Sequence, residues 1–418
     1  MQNTRKLMII LFTLIIFSLI IFMIFKNPEK SRISNNGLLF VGDTDDEIKP
    51  LLLYFNSNNL TFNNLNLTNI ILDFVGFHKA DSFIVNNQYK IVLGTYKPGK
   101  VIILGSNNTI WNNFKFEFSD NLDLRIRALA IGDIDNDRKD EILVGTRPNG
   151  ILKYYKFINE SWKGFLIDQL NKSIHDLAIT DFDGLGKNEV FVSASISPDD
   201  GKANGTSSSA ELIKYEFNNN TWSKETLLNF TYVINKFSDS NPPVPITLYD
   251  HSRYIFIDDF EGNGKKEIVT ISVPLGHLYE FKRDNIGYSI SNIENNLTLS
   301  DSIITSGDLF NDGKKEIVIS TKLFDSLLMY QFDKGGWKRT VLTKDLIKSA
   351  DESVVGISII PSLPAEKYKK VLLVTNSTKL NFYVLEYDDR SNEWNNRFIG
   401  GLDTHIHSTW GIYPTFLQ

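Results

Sequence analysis

A chain of 418 residues is longer than one ordinary domain but suits a single closed array of repeats. Its net charge of −6 argues against a broad basic surface for nucleic acid, and the lack of cysteine removes disulfides, zinc–thiolate sites and thiol catalysis together. Aromatic residues make up 12% of the chain, which suits strands with many half-buried positions.

Residues 1–7 form a short N-terminal tail, and Met8–Phe25 is an eighteen-residue run without a charge, near the lower limit for a spanning helix. Arg5 and Lys6 precede the run, and no small-residue cleavage site follows before Lys26, Asn27, Pro28 and Glu29. That pattern predicts an uncleaved transmembrane signal anchor through Met8–Phe25, with residues 26–36 as a polar tether. Lys26, Lys30 and Arg32 balance Arg5 and Lys6, so charge alone does not orient the segment.

Residues 37–418 repeat. Trp111, Trp162, Trp222, Trp337 and Trp394 each follow a Tyr/Phe-rich run and sit in an Asn- or Gly-bearing turn, and Tyr288 takes the same place between Trp222 and Trp337. The markers recur about every 50 to 65 residues, a spacing of propeller blades. Each lies in the same order of segments. In 126–168 these are IRALAIGD, an acidic loop, ILVGT, ILKYYKF and SWKGFLID, and no amphipathic helix intervenes. The expectation is an all-β, seven-bladed β-propeller of four-stranded blades. Six blades span about 70–118, 120–170, 172–232, 250–298, 300–348 and 350–400. The seventh is split, with one inner strand from 402–418 and three outer strands from 37–67, where Leu60 stands in the marker position. Joining the ends would remove free sheet edges. Residues 197–210 and 236–246 read as exposed insertions.

Four loops join the first and second strands of their blades with one spacing. Asp133, Asp135, Asp137 and Glu141 stand at positions 1, 3, 5 and 9 of the first loop. The second has Asp181, Asp183 and Glu189, with Leu185 at position 5. The third has Asp259, Glu261, Asn263 and Glu267, and the fourth Asp308, Asp312 and Glu316, with Phe310 at position 3. Alternate residues of a tight loop point to a common centre, and calcium takes six to eight oxygens, so these are candidate Ca2+ ligands. Leu185 and Phe310 mark weakened sites, and Gly186, Gly264 and Gly313 ease the turn at position 6, where Arg138 departs.

The D-x-D-x-(D/N)-G-x-x-E loop between two strands resembles that of FG-GAP/VCBS propellers of the integrin α type, closely over about 120–345, although the Gly-Ala-Pro part of that signature is absent. The resemblance implies structural calcium on the lower face of the array. It also implies that the first strands begin at the upper mouth of a central channel. Arg127, His175, Arg253 and Ser302, six residues before each loop aspartate, then form a polar ring with His405 and His407 that meets an anionic ligand such as an acidic sugar. His78, His251 and His277 show no partner spacing, and no nucleophile elbow, phosphate loop or HExxH element is present. Ten Asn-x-Ser/Thr sequons follow the apolar segment, which with the calcium loops predicts a cell-surface glycoprotein whose propeller lies outside the membrane. The leading functional expectation is a non-enzymatic, calcium-binding surface recognition or adhesion module for a glycan or protein, with no catalytic residues and no nucleic-acid partner. One alternative is an enzyme acting on acidic polysaccharide or sugar, a lyase or dehydratase, in which Arg127, His175, Arg253 and His405 converge. Another is a scaffold subunit of a membrane complex.

Overall fold

The computed structural model describes residues 37–43, 50–56, 61–64, 75–86, 88–106, 114–195, 210–230, 233–237, 245–249, 251–273, 276–284, 287–295, 297, 303–321, 326–343, 353–360, 367–376, 379–402 and 415–416. The anchor Met8–Phe25, the tether and the insertion 197–209 lie outside them. Among the described residues no helix is long and apolar enough to cross a membrane.

The described elements are all strands. In chain order they are β1 (Gly37–Asp43), β2 (Pro50–Asn56), β3 (Thr61–Asn64), β4 (Val75–Val85), β5 (Gln88–Lys97), β6 (Lys100–Ser106), β7 (Phe114–Asn121), β8 (Arg125–Gly132), β9 (Glu141–Arg147) and β10 (Ile151–Ile158). There follow β11 (Ser161–Gln169), β12 (Ser173–Thr180), β13 (Glu189–Ser195), β14 (Ala210–Asn218), β15 (Thr221–Phe230), β16 (Val233–Phe237), β17 (Pro245–Tyr249), β18 (His251–Asp258), β19 (Glu267–Val273) and β20 (Leu278–Arg283). The last ten are β21 (Tyr288–Glu294), β22 (Ile304–Gly307), β23 (Glu316–Thr321), β24 (Ser326–Asp333), β25 (Gly336–Thr343), β26 (Ser353–Ile360), β27 (Lys370–Asn376), β28 (Leu380–Asp388), β29 (Glu393–Leu402) and β30 (Thr415–Phe416). They pair antiparallel into four-stranded sheets β4–β7, β8–β11, β12–β15, β18–β21, β22–β25 and β26–β29, each in simple up-and-down order. A further sheet has the order β3-β2-β1-β30, with Leu38 opposite Phe416 and Leu39 opposite Thr415. The arrangement is that of a propeller. The two ends of the segment read as an insertion at 236–246 lie in a two-stranded ribbon, β16–β17, in which Phe237 pairs with Pro245, and residues 238–244 lie outside the described residues. Proline tolerates that place because an edge strand asks little of its missing N–H.

Burial follows strand position. All seven residues of β9 and of β13 are buried, with apolar runs at Ile142–Val144 and Val190–Val192, whereas the fourth strand β11 turns much of its length to solvent. The core is not one mass but a series of wedges. One cluster joins β4–β7 to β8–β11 through Val92, Ile103, Ile126 and Val144, and the next joins β8–β11 to β12–β15 through Leu143, Leu152, Ile174 and Val192. Phe191 with Ile268, Ile271 with Ile317, and Val318 with Leu373 continue the series. Each fully buried Leu, Ile or Phe contributes ~1.5–3 kcal/mol.

The tryptophan markers acquire a physical reason here. Trp162, Trp222, Trp337 and Trp394 sit directly across the strand pair from Phe157, Phe217, Phe332 and Tyr387. Each also reaches the preceding sheet or its loop. Phe83 lies 5.9 Å from Trp162, Tyr154 6.1 Å from Trp222, Phe260 5.9 Å from Trp337 and Phe310 6.4 Å from Trp394. Third-strand tyrosines tie sheets in the same direction: the Tyr155 hydroxyl donates to Asp120 at 2.8 Å and that of Tyr215 to Asp168 at 2.7 Å. Glycine permits closest approach at two matching places, since a Cβ on Gly94 or Gly145 would lie 2.5 or 2.4 Å from Cγ2 of Ile126 or Ile174.

Candidate functional site

The first strands of successive sheets pack on one another, β1 on β4, β4 on β8, β8 on β12 and β12 on β18. Five first strands, β4, β8, β12, β18 and β26, carry a register shift at one equivalent residue, namely His78, Arg127, His175, Arg253 and Val355. A β-bulge leaves its extra residue out of the Cα pairing of the ladder and re-aims its side chain. Arg127, His175 and Arg253 are all buried, which is unusual for two guanidinium groups and demands compensation.

Part of that compensation is Asp176. Its Oδ1 lies 3.7 Å from Lys79 Nζ on β4, and its Oδ2 accepts the Ile255 N–H of β18 at 2.9 Å. Burial raises the Asp176 pKa, opposed by the charges of Lys79 and Arg127 and by backbone donors. One carboxylate on β12 therefore engages groups from three other first strands. His175 Nε2 lies 2.6 Å from Ser195 Oγ, and the Arg253 guanidinium lies 5.8 Å from the centre of the Tyr254 ring. Asp81, two residues beyond Lys79 on the same face of β4, accepts the Ser82 N–H at 2.7 Å. Burial pushes its pKa up to about 7, against the pull of that bond and of Lys79.

Ser302, His405 and His407 lie outside the described residues. His277 is satisfied by the Tyr279 hydroxyl at 2.7 Å. Sequence reading missed Lys79, Asp81 and Asp176, and passed over His78, because it counted back from the loop aspartate. The first of these blades has Ile84 in that place, so the count had no origin there. Aligning His78-Lys79-Ala80-Asp81 with Arg127-Ala128-Leu129-Ala130 supplies the missing frame.

The four acidic loops are built alike, and most of their carboxylates bond to the loop itself. Asp133 accepts the N–H groups of Asp137 at 3.0 Å and Arg138 at 2.7 Å; Asp259 accepts those of Asn263 at 2.9 Å and Gly264 at 2.8 Å. Asp308 repeats the pair with Asp312 and Gly313, and Asp181 accepts from Gly186. The glutamate at position 9 turns back to accept the N–H of position 2: Glu141 from Ile134, Glu189 from Phe182, Glu267 from Phe260 and Glu316 from Leu309, at 3.0, 2.8, 2.9 and 2.7 Å. Those position-2 residues are buried plugs, a feature not singled out from sequence. Burial raises Glu141 and Glu267 to about 7 and Glu316 to about 8, and raises Glu189 as well. Arg138 shares the left-handed backbone of Gly186, Gly264 and Gly313, with φ of 70° against 81°, 82° and 87°.

Two loops gather three carboxylates whose ligand atoms lie within 4.8 Å of one another: Asp133, Asp135 and Glu141, and Asp181, Asp183 and Glu189. The first does not fit a divalent ion, because the Lys156 ammonium already bonds Asp135, Asp137 at 2.8 Å and Glu141 at 3.2 Å. Burial works against that ammonium, but its bonds to Asp135, Asp137 and Glu141 outweigh it and hold its pKa above the lysine range. In the third loop Lys282 bonds Glu261, and Glu280 at 3.1 Å. In the fourth, Gln331 donates to Glu316 at 3.1 Å, and Phe310 packs against Tyr368, Tyr387 and Trp394 as an inter-sheet plug rather than a failed ligand. The second loop keeps its carboxylates together, with Arg283 3.1 Å from Asp183 and Leu185 turned to solvent.

No family model and no curated protein sequence matches the chain. Solved structures do. A periplasmic gluconolactonase from Pseudomonas aeruginosa aligns at a TM-score of 0.54 and 10% identity over 91% of this chain and 99% of its own. A Bacteroides fragilis NCTC 9343 protein assigned as a 6-phosphogluconolactonase aligns at 0.54 and 12% over 92% and 99%. A lectin from Agrocybe aegerita, specific for non-reducing terminal N-acetylglucosamine, aligns at 0.50 and 10% over 90% and 95%. At such identities the likeness speaks for the propeller fold. The reading as an adhesion module is corrected by these findings: the two of these propellers that align at 0.54 are described as a gluconolactonase and a 6-phosphogluconolactonase.

Proposed function

We propose that the chain is a propeller enzyme acting on an acidic sugar or its lactone. Its site would be the face where Lys79, Arg127, His175 and Arg253 stand with Asp81 and Asp176. The observation that carries this reading is the reach of Asp176 to Lys79 and to the Ile255 backbone, which draws β4, β12 and β18 to one place beside Arg127. A general base works best when its pKa lies near the working pH, and Asp81 at about 7 meets that condition. The cations supply what an anionic sugar needs, charge to hold its carboxylate or phosphate and to stabilise an oxyanion. For a lactone, Asp81 takes a proton from water, the hydroxide adds to the carbonyl carbon, the ring C–O bond breaks, and the proton passes to the departing alkoxide. The fold likeness to gluconolactonases makes lactone opening the reaction to test first.

The test is a pH-indicator screen of sugar lactones and acidic sugars with the full chain. The expected result is turnover whose kcat/KM rises with pH through about 7, as Asp81 ionises, and which Asp81→Asn abolishes. Turnover indifferent to Asp81→Asn and Arg127→Gln, or no turnover on any substrate, would overturn the reading.

Other proposals accompany it. The pairing of β1 with β30 supports a seven-bladed ring closed by a split blade, and the four like loops support descent from FG-GAP/VCBS-type repeats. The apolar run Met8–Phe25 supports a single-pass membrane anchor, and the sequons after it an extracytoplasmic, glycosylated propeller. Structural calcium belongs in this reading only at the second loop, on Asp181, Asp183 and Glu189.

A further inference from the structure

The two loops with the fullest sets of oxygen ligands, those after β8 and β18, are also the two that receive a lysine from the third strand of their own sheet. Register explains why. Ile142 pairs with Tyr155 and Ile268 with Phe281, so the next residues, Lys156 and Lys282, come beside Glu141 and Glu267 at the foot of the loop. In the other two sheets the same step, from Val190 opposite Tyr215 and from Ile317 opposite Tyr330, brings Glu216 and Gln331. Thus lysine appears where the loop has complete ligands, and an acid or amide where Leu185 or Phe310 has replaced one.

We propose that Lys156 and Lys282 are resident cations that take the place of a divalent ion, so that these two loops are held closed at any calcium concentration. One Lys156 ammonium reaches three carboxylates, Asp135, Asp137 at 2.8 Å and Glu141 at 3.2 Å, while Asp135 Oδ1 and Glu141 Oε1 take no hydrogen bond from the described residues. Calcium needs six to eight oxygens at about 2.3–2.6 Å, and an ammonium within 3.2 Å of oxygens on Asp135, Asp137 and Glu141 stands where the ion would have to sit. Lys282 bridges Glu261 of the loop to buried Glu280 of its own strand, and its ammonium lies over Phe332 of the next sheet, 5.2 Å from the ring centre. Unlike a bound ion, either lysine is tethered and cannot be lost to a chelator.

Equilibrium dialysis of the full chain against calcium alone, at millimolar concentration, tests this. The expected result is at most one ion bound per wild-type chain, a number unchanged by Asp135→Asn or Glu261→Gln. Lys156→Gln, which frees the carboxylates, gains one ion and a thermal midpoint that rises with calcium. Two or more ions on the wild-type chain, loss of one ion in Asp135→Asn or Glu261→Gln, or a folded Lys156→Gln protein that gains none would each overturn the proposal. Should Lys156→Gln not fold, the wild-type count and the other two variants decide the matter alone.

Discussion

Replacing Gly145 with alanine would set a methyl group between two sheets that leave it no room. The new Cβ would lie 2.4 Å from Cγ2 and 2.9 Å from Cβ of Ile174, and 3.3 Å from Cβ of Ala128. All three are branched or backbone-proximal atoms on neighbouring first strands, and a β-branched side chain has few rotamers into which to retreat. The sheets must therefore part locally, and overpacking of this kind costs ~1–3 kcal/mol. Ile174→Ala alone opens a cavity in a fully buried cluster and costs ~2–5 kcal/mol. In the double variant the shortened side chain receives the new methyl group, so the two losses are less than additive by about 1–2 kcal/mol. Urea unfolding followed by tryptophan fluorescence, with stability taken from the midpoint at constant slope, measures the cycle. Additivity within ~0.5 kcal/mol would refute the close glycine–isoleucine contact as the point where these sheets dock.

Arg138→Gly should stabilise the chain by ~1 kcal/mol, because a side chain at φ of 70° carries left-handed strain that glycine lacks; scanning fluorimetry would read it. Tyr215→Phe removes the hydroxyl that Asp168 accepts at 2.7 Å, leaves Lys224 as its neighbour at 2.9 Å, and should cost roughly 1.5 kcal/mol in the same urea assay. In chelator, stability should fall from pH 5 to pH 8.5. Glu141, Glu267 and Glu316 have folded pKa values of about 7, 7 and 8 against an ordinary 4.5. A carboxyl whose folded pKa is raised contributes fully below its unfolded value, and that contribution is lost as pH climbs through the folded one. Glu316→Gln keeps an oxygen for the Leu309 N–H and should flatten that slope, which urea midpoints at two pH values would check.

The blades were legible in the sequence because their signal is local. A tryptophan directly across a tight hairpin from Phe157 or Phe217 lies only a few residues away in the chain, so it recurs as a visible spacing. The acidic loops were legible for the same reason, being nine residues long and closed by their own glutamate. What those loops hold was not. Lys156 lies on a different strand from Glu141, and only the register of β9 with β10 brings the two together. The spacing of carboxylates was thus visible in the sequence, and the lysine beside them was not. The candidate active site was half visible: Arg127, His175 and Arg253 share a count from the loop, whereas Lys79 and Asp176 come together through contacts between sheets that no spacing encodes.

The bulge shared by the first strands bears on how such a molecule diversifies. A side chain on an ordinary rung of a ladder is constrained by the residue opposite it, and a poor exchange risks slipping the whole strand. The bulged residue stands outside that Cα pairing, so its exchange does not threaten the register, although its side chain keeps contacts such as that of His175 with Ser195. Imidazole, guanidinium and isopropyl groups already occupy this one seat in different sheets, at His175, Arg127 and Val355, over an unaltered backbone pattern. The chain thereby holds a set of sockets whose contents natural variation can exchange one at a time, retuning chemical preference while the architecture stays fixed.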